Sequence, residues 1–159
     1  MSLRFNPDNL EQFKSQIRTI PGYPAGEDLP IRDMVFESGA LWRMPDLLRQ
    51  GGMRSDQPLS VVMDRTPMKR EGKDLKTLIC KILENAGQQF EVVWLEPDST
   101  GQVHTDFSQI NAVKARLQKN SAVLSVGSGT VTDIAKHACH VYQQEQGIQP
   151  LAFAVYQTA

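Results

Sequence analysis

Apolar and polar positions along this chain follow two rhythms that take turns. Leu59 to Met63, Phe90 to Leu95, Ala122 to Val126 and Leu151 to Val155 are short apolar-rich runs bounded by polar or turn-forming residues. Runs of that length and continuity suit strands of a parallel sheet buried on both faces. Between them, apolar residues recur every three or four positions, which is the helical period. Lys69 to Ala86 carries the clearest stripe (Leu75, Leu78, Ile79, Ile82, Leu83, Ala86), and Gly87 closes it. Asp106 to Lys119 predicts a second helix, with Phe107, Ile110, Val113 and Leu117 inward. Val131 to Tyr142 predicts a third, with Val131, Ile134, Ala135, Ala138, Val141 and Tyr142 on its apolar side.

Upstream the rhythm is less regular. Asp8 to Ile20 predicts a helix striped by Leu10, Phe13, Ile17 and Ile20, capped by Asp8 and stopped by Pro21. Pro21 to Pro30, with three prolines and two glycines, reads as a loop. Ile31 to Glu37 predicts a strand centred on Met34-Val35-Phe36. Ser38-Gly39 breaks it, and Leu41 to Gln50 predicts a short helix ended by Gly51-Gly52. Together these elements predict an α/β fold, a Rossmann-like three-layer domain with a mostly parallel sheet, over 31–159. A helix and loop precede it over 1–30.

Composition narrows the function classes. A net charge of −1 over 159 residues gives no basic footprint for nucleic acid. No apolar run is long enough to cross a bilayer, and no signal-peptide pattern opens the chain. With only two cysteines, a reduced cytoplasmic setting is expected. Cys80 and Cys139 do not make a disulfide framework or a Cys-x-x-Cys motif, and read as small core or boundary residues. Trp42 and Trp94 read as packing anchors, because no basic cluster accompanies them.

The stretch that invites chemistry is Gly127-Ser128-Gly129-Thr130-Val131-Thr132-Asp133, set between an apolar run and an amphipathic one. Strand, glycine turn and helix form an arrangement that cradles phosphate: glycines let backbone N–H groups approach, and the first helical turn adds unpaired donors. The same pattern also suits an ordinary turn that needs small residues. It departs from the dinucleotide fingerprint Gly-x-Gly-x-x-Gly, since Thr132 stands at the third glycine, and no Lys-Ser or Lys-Thr follows as in a Walker A loop. Thr130 or Ser128 can give a hydroxyl to phosphate or cap the helix. Asp133 suits the helix dipole but repels phosphate unless it points elsewhere. Asp64, at a strand end, can accept from ribose hydroxyls or stand as a solvated turn acid. In parallel sheets ligands sit at the C-terminal strand ends, where Asp64, the glycine turn and Thr158 all fall.

Gly127 to Lys136, followed by a strand ending in Thr158-Ala159, resembles the N-terminal half of the iron-containing alcohol dehydrogenase superfamily. Gly-Ser-Gly-Thr-x-x-Asp is closest to its glycerol-1-phosphate dehydrogenase branch, with glycerol dehydrogenase and 3-dehydroquinate synthase as relatives. Phe36-Glu37-Ser38-Gly39-Ala40-Leu41 and Val61-Val62-Met63-Asp64 are similar to the superfamily's early turn and its adenosine-side acid. The resemblance spans roughly Ile31 to Ala159. It implies an NAD- or NADP-binding domain, with Gly127, Ser128, Gly129, Thr130, Val131, Thr132 and Asp133 along the pyrophosphate and nicotinamide side and Thr158 as a further contact. Asp64 would lie near the adenine ribose, where an acid favours NAD over NADP by charge repulsion.

The superfamily also implies a following all-helical domain that supplies ligands for a divalent metal (Zn, Fe or Ni), which polarises the substrate oxygen during hydride transfer. That domain is absent from this sequence. The chain therefore reads as a cofactor domain without its catalytic half, whether an expressed fragment, a cleavage product or a truncated gene product. It would be inactive alone and bind cofactor weakly, while the full-length enzyme would act on a small polyol or phosphate substrate. Apolar surface left where a second domain docks would favour self-association. Two other readings stay open: a dehydroquinate-synthase-like NAD-binding domain, and a non-catalytic nucleotide-binding or interaction domain. Asp133, His137 and His140 share helical spacing but oppose the apolar stripe, so they and His104 read as surface residues rather than metal ligands.

Overall fold

Each of the four apolar runs pairs in parallel with a neighbour, the two from Leu59 and Ala122 fully buried and the two from Phe90 and Leu151 only partly so, at the sheet edges. The computed structural model describes residues 9–24, 26, 29–119 and 121–157. They fall into two compact units, one ending at Arg43 and one beginning at Met44.

In the first unit, helix α1 spans Leu10–Arg18. The expected cap, Asp8, lies outside the described residues. Asn9 caps α1 instead, its side chain accepting from the Gln12 N–H at 2.9 Å. The strand expected over Ile31 to Glu37 does not form, and Phe36 is 69% exposed. A local bond competes with pairing there: the Asp33 carboxylate accepts from the Met34 N–H at 2.7 Å. A 3₁₀ turn covers Ala40–Arg43.

The second unit opens with α2, Met44–Gln50, so the single helix expected from Leu41 is two pieces. Pro45 sits in the first turn of α2, where a missing N–H costs little. Then come β1 (Leu59–Asp64), a hairpin of β2 (Lys69–Arg70) and β3 (Lys73–Asp74), α3 (Leu75–Asn85), β4 (Phe90–Leu95), α4 (Phe107–Lys114), β5 (Ala122–Val126), α5 (Gly129–Gln146) and β6 (Ala152–Tyr156). The hairpin replaces the first turns of the expected Lys69–Ala86 helix. Glu71 and Gly72 both take positive φ, 51° and 75°, as a tight antiparallel turn demands. Helix α3 therefore starts at Leu75, with the Asp74 carboxylate accepting from the Thr77 N–H at 2.7 Å.

The sheet is parallel with order β4-β1-β5-β6. All of β1 and β5 is buried, as expected of central strands. Val62, Val93, Leu95 and Val123 pack with Ile110 and Val113 of α4 and with Val131, Ile134, Ala135, Ala138 and Cys139 of α5. Alternation turns Val61, Met63, Leu124 and Val126 to the opposite face. Right-handed crossovers put α3 there, with Leu75, Ile79, Ile82 and Leu83 buried. Each fully buried aliphatic side chain contributes about 1.5–3 kcal/mol. Phe107 departs from expectation: it is the first residue of α4 and 77% exposed, beyond the stripe of Ile110, Val113 and Leu117. No described helix is long and apolar enough to cross a membrane.

Cys139 is 4% exposed, and burial pushes its thiol up to about 12. Cys80 is half-buried and its thiol is raised less, again by burial first. A disulfide-exchange reagent at pH 8 should therefore modify Cys80 slowly and Cys139 only after denaturation. Labelling followed by peptide mass spectrometry checks this, and equal rates for both thiols would contradict the packing of α5.

Candidate functional site

The topology creates a crevice. From β1 the chain moves outward to β4, then crosses back past β1 to β5 and β6. Helices leave to opposite faces at this reversal, so the C-terminal ends of β1 and β5 are the switch point where α/β sheets hold ligands. Asp64 ends β1 there, and the Gly127 turn leaves β5 beside it. A Cβ on Gly127 would lie 3.5 Å from Asp64 Oδ1, which fixes how closely the two approach. The sheet edge expected from sequence thus unites Asp64 with the glycine turn. Thr158 lies outside the described residues.

The turn is held from several sides. Gly127 has φ of 148°, and its N–H donates to the Tyr156 carbonyl at 3.3 Å. Thr132 Oγ1 donates to the Ser128 carbonyl at 3.3 Å and accepts from Gln157 Nε2 at 3.1 Å, with Ser125 Oγ 3.2 Å away. Its hydroxyl therefore fastens α5 to the ends of β5 and β6. Val131 is fully buried, so only its backbone can face the crevice. Ser128 and Gly129 are exposed, Thr130 is half-buried, and Asp133 lies exposed on α5. Ser128 stands at the N-cap without a side-chain capping bond, leaving the first N–H groups of α5 without that partner.

Gly129 differs from Gly127. It does not adopt positive φ, and a Cβ there would meet nothing within 4 Å. The fold does not require glycine at this position. Gly129 opens on solvent beside the N–H groups that begin α5, and backbone donors at a helix start can receive a phosphate.

Asp64 is not the bare acid suggested by its position. It is 5% exposed, and its carboxylate forms an ion pair with Lys76 of α3. The same ammonium donates to the Asp64 carbonyl at 2.6 Å and the Thr66 carbonyl at 2.8 Å. The positive partner offsets the repulsion through which Asp64 was expected to disfavour NADP. Lys76 was missed from sequence because a helix expected from Lys69 puts it mid-helix; only the observed start at Leu75 makes it a first-turn cation that opposes the dipole and calls for a local partner.

Among the described residues, no group of His, Cys, Asp and Glu is arranged to hold a metal ion. His137 and His140 are exposed, and His104 Nε2 lies 3.3 Å from Asp98 Oδ2. Asp98 also accepts from Thr100 and Gln102, and these bonds, led by the Thr100 hydroxyl, hold its carboxyl down at about 2. Trp42 and Trp94 are not buried anchors. They are 64% and 40% exposed.

No protein-family model matches the chain, and no curated protein matches it significantly.

Proposed function

We propose that this chain is an NAD(P)-binding domain of the kind found in metal-dependent polyol or sugar-phosphate dehydrogenases, the glycerol-1-phosphate dehydrogenase branch above all. The observation that carries the reading is the glycine pair at the switch point. Gly127 is demanded by the backbone, whereas Gly129 is not, and it leaves the backbone at the exposed start of α5 open to approach. The sequence resemblance over Gly127 to Asp133 supports the same choice of ligand.

In this reading the backbone of Gly129 to Val131 receives the pyrophosphate, and Asp64 lies beneath the adenosine ribose. When bound, the dinucleotide supplies hydride chemistry at its nicotinamide ring. The chain's own part is to bind and orient it. Thr132 keeps the α5 terminus aimed at the crevice through its bonds to Ser128 and Gln157. A metal that polarises substrate oxygen would be held by residues other than those described.

Calorimetric titration of the chain with NAD and with NADP tests the proposal. Saturable heat from either is expected, with little discrimination between them, because Lys76 offsets the Asp64 charge. Absence of heat with both would instead favour a non-catalytic interaction domain.

A further inference from the structure

We infer that the adenine base is held against Trp94 and Arg65, on the β4 side of Asp64; this rests on the reading of the crevice as a dinucleotide site. A cavity of about 430 Å³ opens there, with Asp64, Arg65, Pro67, Lys69, Cys80 and Trp94 in its wall. Its volume is in the range of small-molecule sites. The Arg65 guanidinium carbon lies 5.2 Å from the centroid of the Trp94 ring. Glu96 grips both arms of that guanidinium, accepting from Nη2 at 2.8 Å and Nε at 3.1 Å. Two planar groups are thus set in place before any ligand arrives, and flat bases stack on indoles and on guanidinium planes.

Asp64 ties this cavity to the glycine turn. It forms part of the cavity wall, and its Oδ1 lies 3.5 Å from the point a Cβ of Gly127 would occupy. A ligand with phosphates at Gly129 and a base in the cavity therefore carries its ribose over Asp64. Two cations of the wall are matched by carboxylates, Arg65 by Glu96 and Lys76 by Asp64, so the choice of base falls to stacking, and adenine is the larger neutral ring for an indole and a guanidinium plane. A second cavity, beside Leu59 and Phe90, lies at the opposite end of the strands, away from the glycine turn.

Trp42 and Trp94 are the two tryptophans of the chain, so W42F leaves Trp94 as its sole indole reporter. In W42F, AMP, ADP-ribose and NAD are expected to change Trp94 emission saturably, and nicotinamide mononucleotide to leave it unchanged. By calorimetry, W94L is expected to weaken NAD about 5- to 150-fold, with partial recovery in W94F. Saturable NAD binding by the W42F chain without any change in Trp94 emission overturns the placement of the base and leaves the dinucleotide reading standing. Undiminished NAD affinity in W94L does the same. Failure of the unaltered chain to bind NAD, NADP or ADP-ribose overturns both. The emission experiment needs no change at Trp94, so it decides the matter even where W94L fails to fold.

Discussion

Replacing Lys76 by methionine is expected to destabilise the domain by about 3–5 kcal/mol, the usual consequence of leaving one member of a buried ion pair alone. The side chains of Lys76 and Asp64 are each 7% exposed. Without the ammonium, Asp64 keeps a buried charge, and the Asp64 and Thr66 carbonyls each lose a donor. Small domains have only about 5–15 kcal/mol in hand, so the loss is a large share of the total. For a chain of this size it corresponds to a fall in melting temperature of about 6–20 °C. Thermal unfolding followed by circular dichroism measures it. D64N in the K76M background should recover much of the loss, because it removes the stranded charge. A K76M melting temperature within a degree or two of the parent would show that the pair does not support the β1 end of the crevice.

Gly127→Val is the second large effect. A φ of 148° is a conformation that only glycine adopts readily, and forcing a β-branched residue into such a region costs about 1–3 kcal/mol. The new Cβ would also stand 3.0 Å from Val131 Cγ2 and 3.4 Å from Val131 Cβ. Val131 is fully buried among its core neighbours, so it has little room to yield. The turn must therefore move, dragging the first N–H groups of α5 out of line with Asp64. Loss of stability and at least about tenfold weaker NAD binding are expected together, the weakening equivalent to about 1.4 kcal/mol. Unchanged binding by G127V in a calorimetric titration would contradict the role given to the turn.

The central strands were legible because β1 and β5 are apolar on both faces, and the edge strands β4 and β6 because they are short apolar-rich runs set between helical stripes. Phe90–Leu95 and Ala122–Val126 begin and end where the apolar runs do. The start of α3 was hidden, because the hairpin turns on positive φ at Glu71, a residue that gives no warning of it. Met34-Val35-Phe36 has the composition of a strand, but Asp33 satisfies a backbone donor locally and no strand among the described residues pairs with it.

At the site, position along the chain was enough to place Asp64 and the glycine turn on one edge, since both end central strands. Partners were harder to read. Lys76 lies 12 residues from Asp64 and meets it only because α3 returns across the end of β1. Arg65 reaches Glu96 across 31 residues because β1 and β4 pair in register, Asp64 opposite Leu95. Aromatic content alone said packing for Trp94. Its exposure became visible only with the edge position of β4.

The most direct test compares NAD titrations of the unaltered chain and of G129A, with melting temperatures measured alongside. Alanine at this position meets no atom of the fold and is the better helix former, so stability is expected to hold or rise by up to about 1 kcal/mol. Its methyl group would stand over the backbone proposed to receive the pyrophosphate. Saturable NAD binding by the parent, with at least about tenfold weaker binding by an equally stable G129A, is the expected result. Equal NAD affinity in the two chains, or none in the parent, would contradict the assignment of this crevice to a dinucleotide.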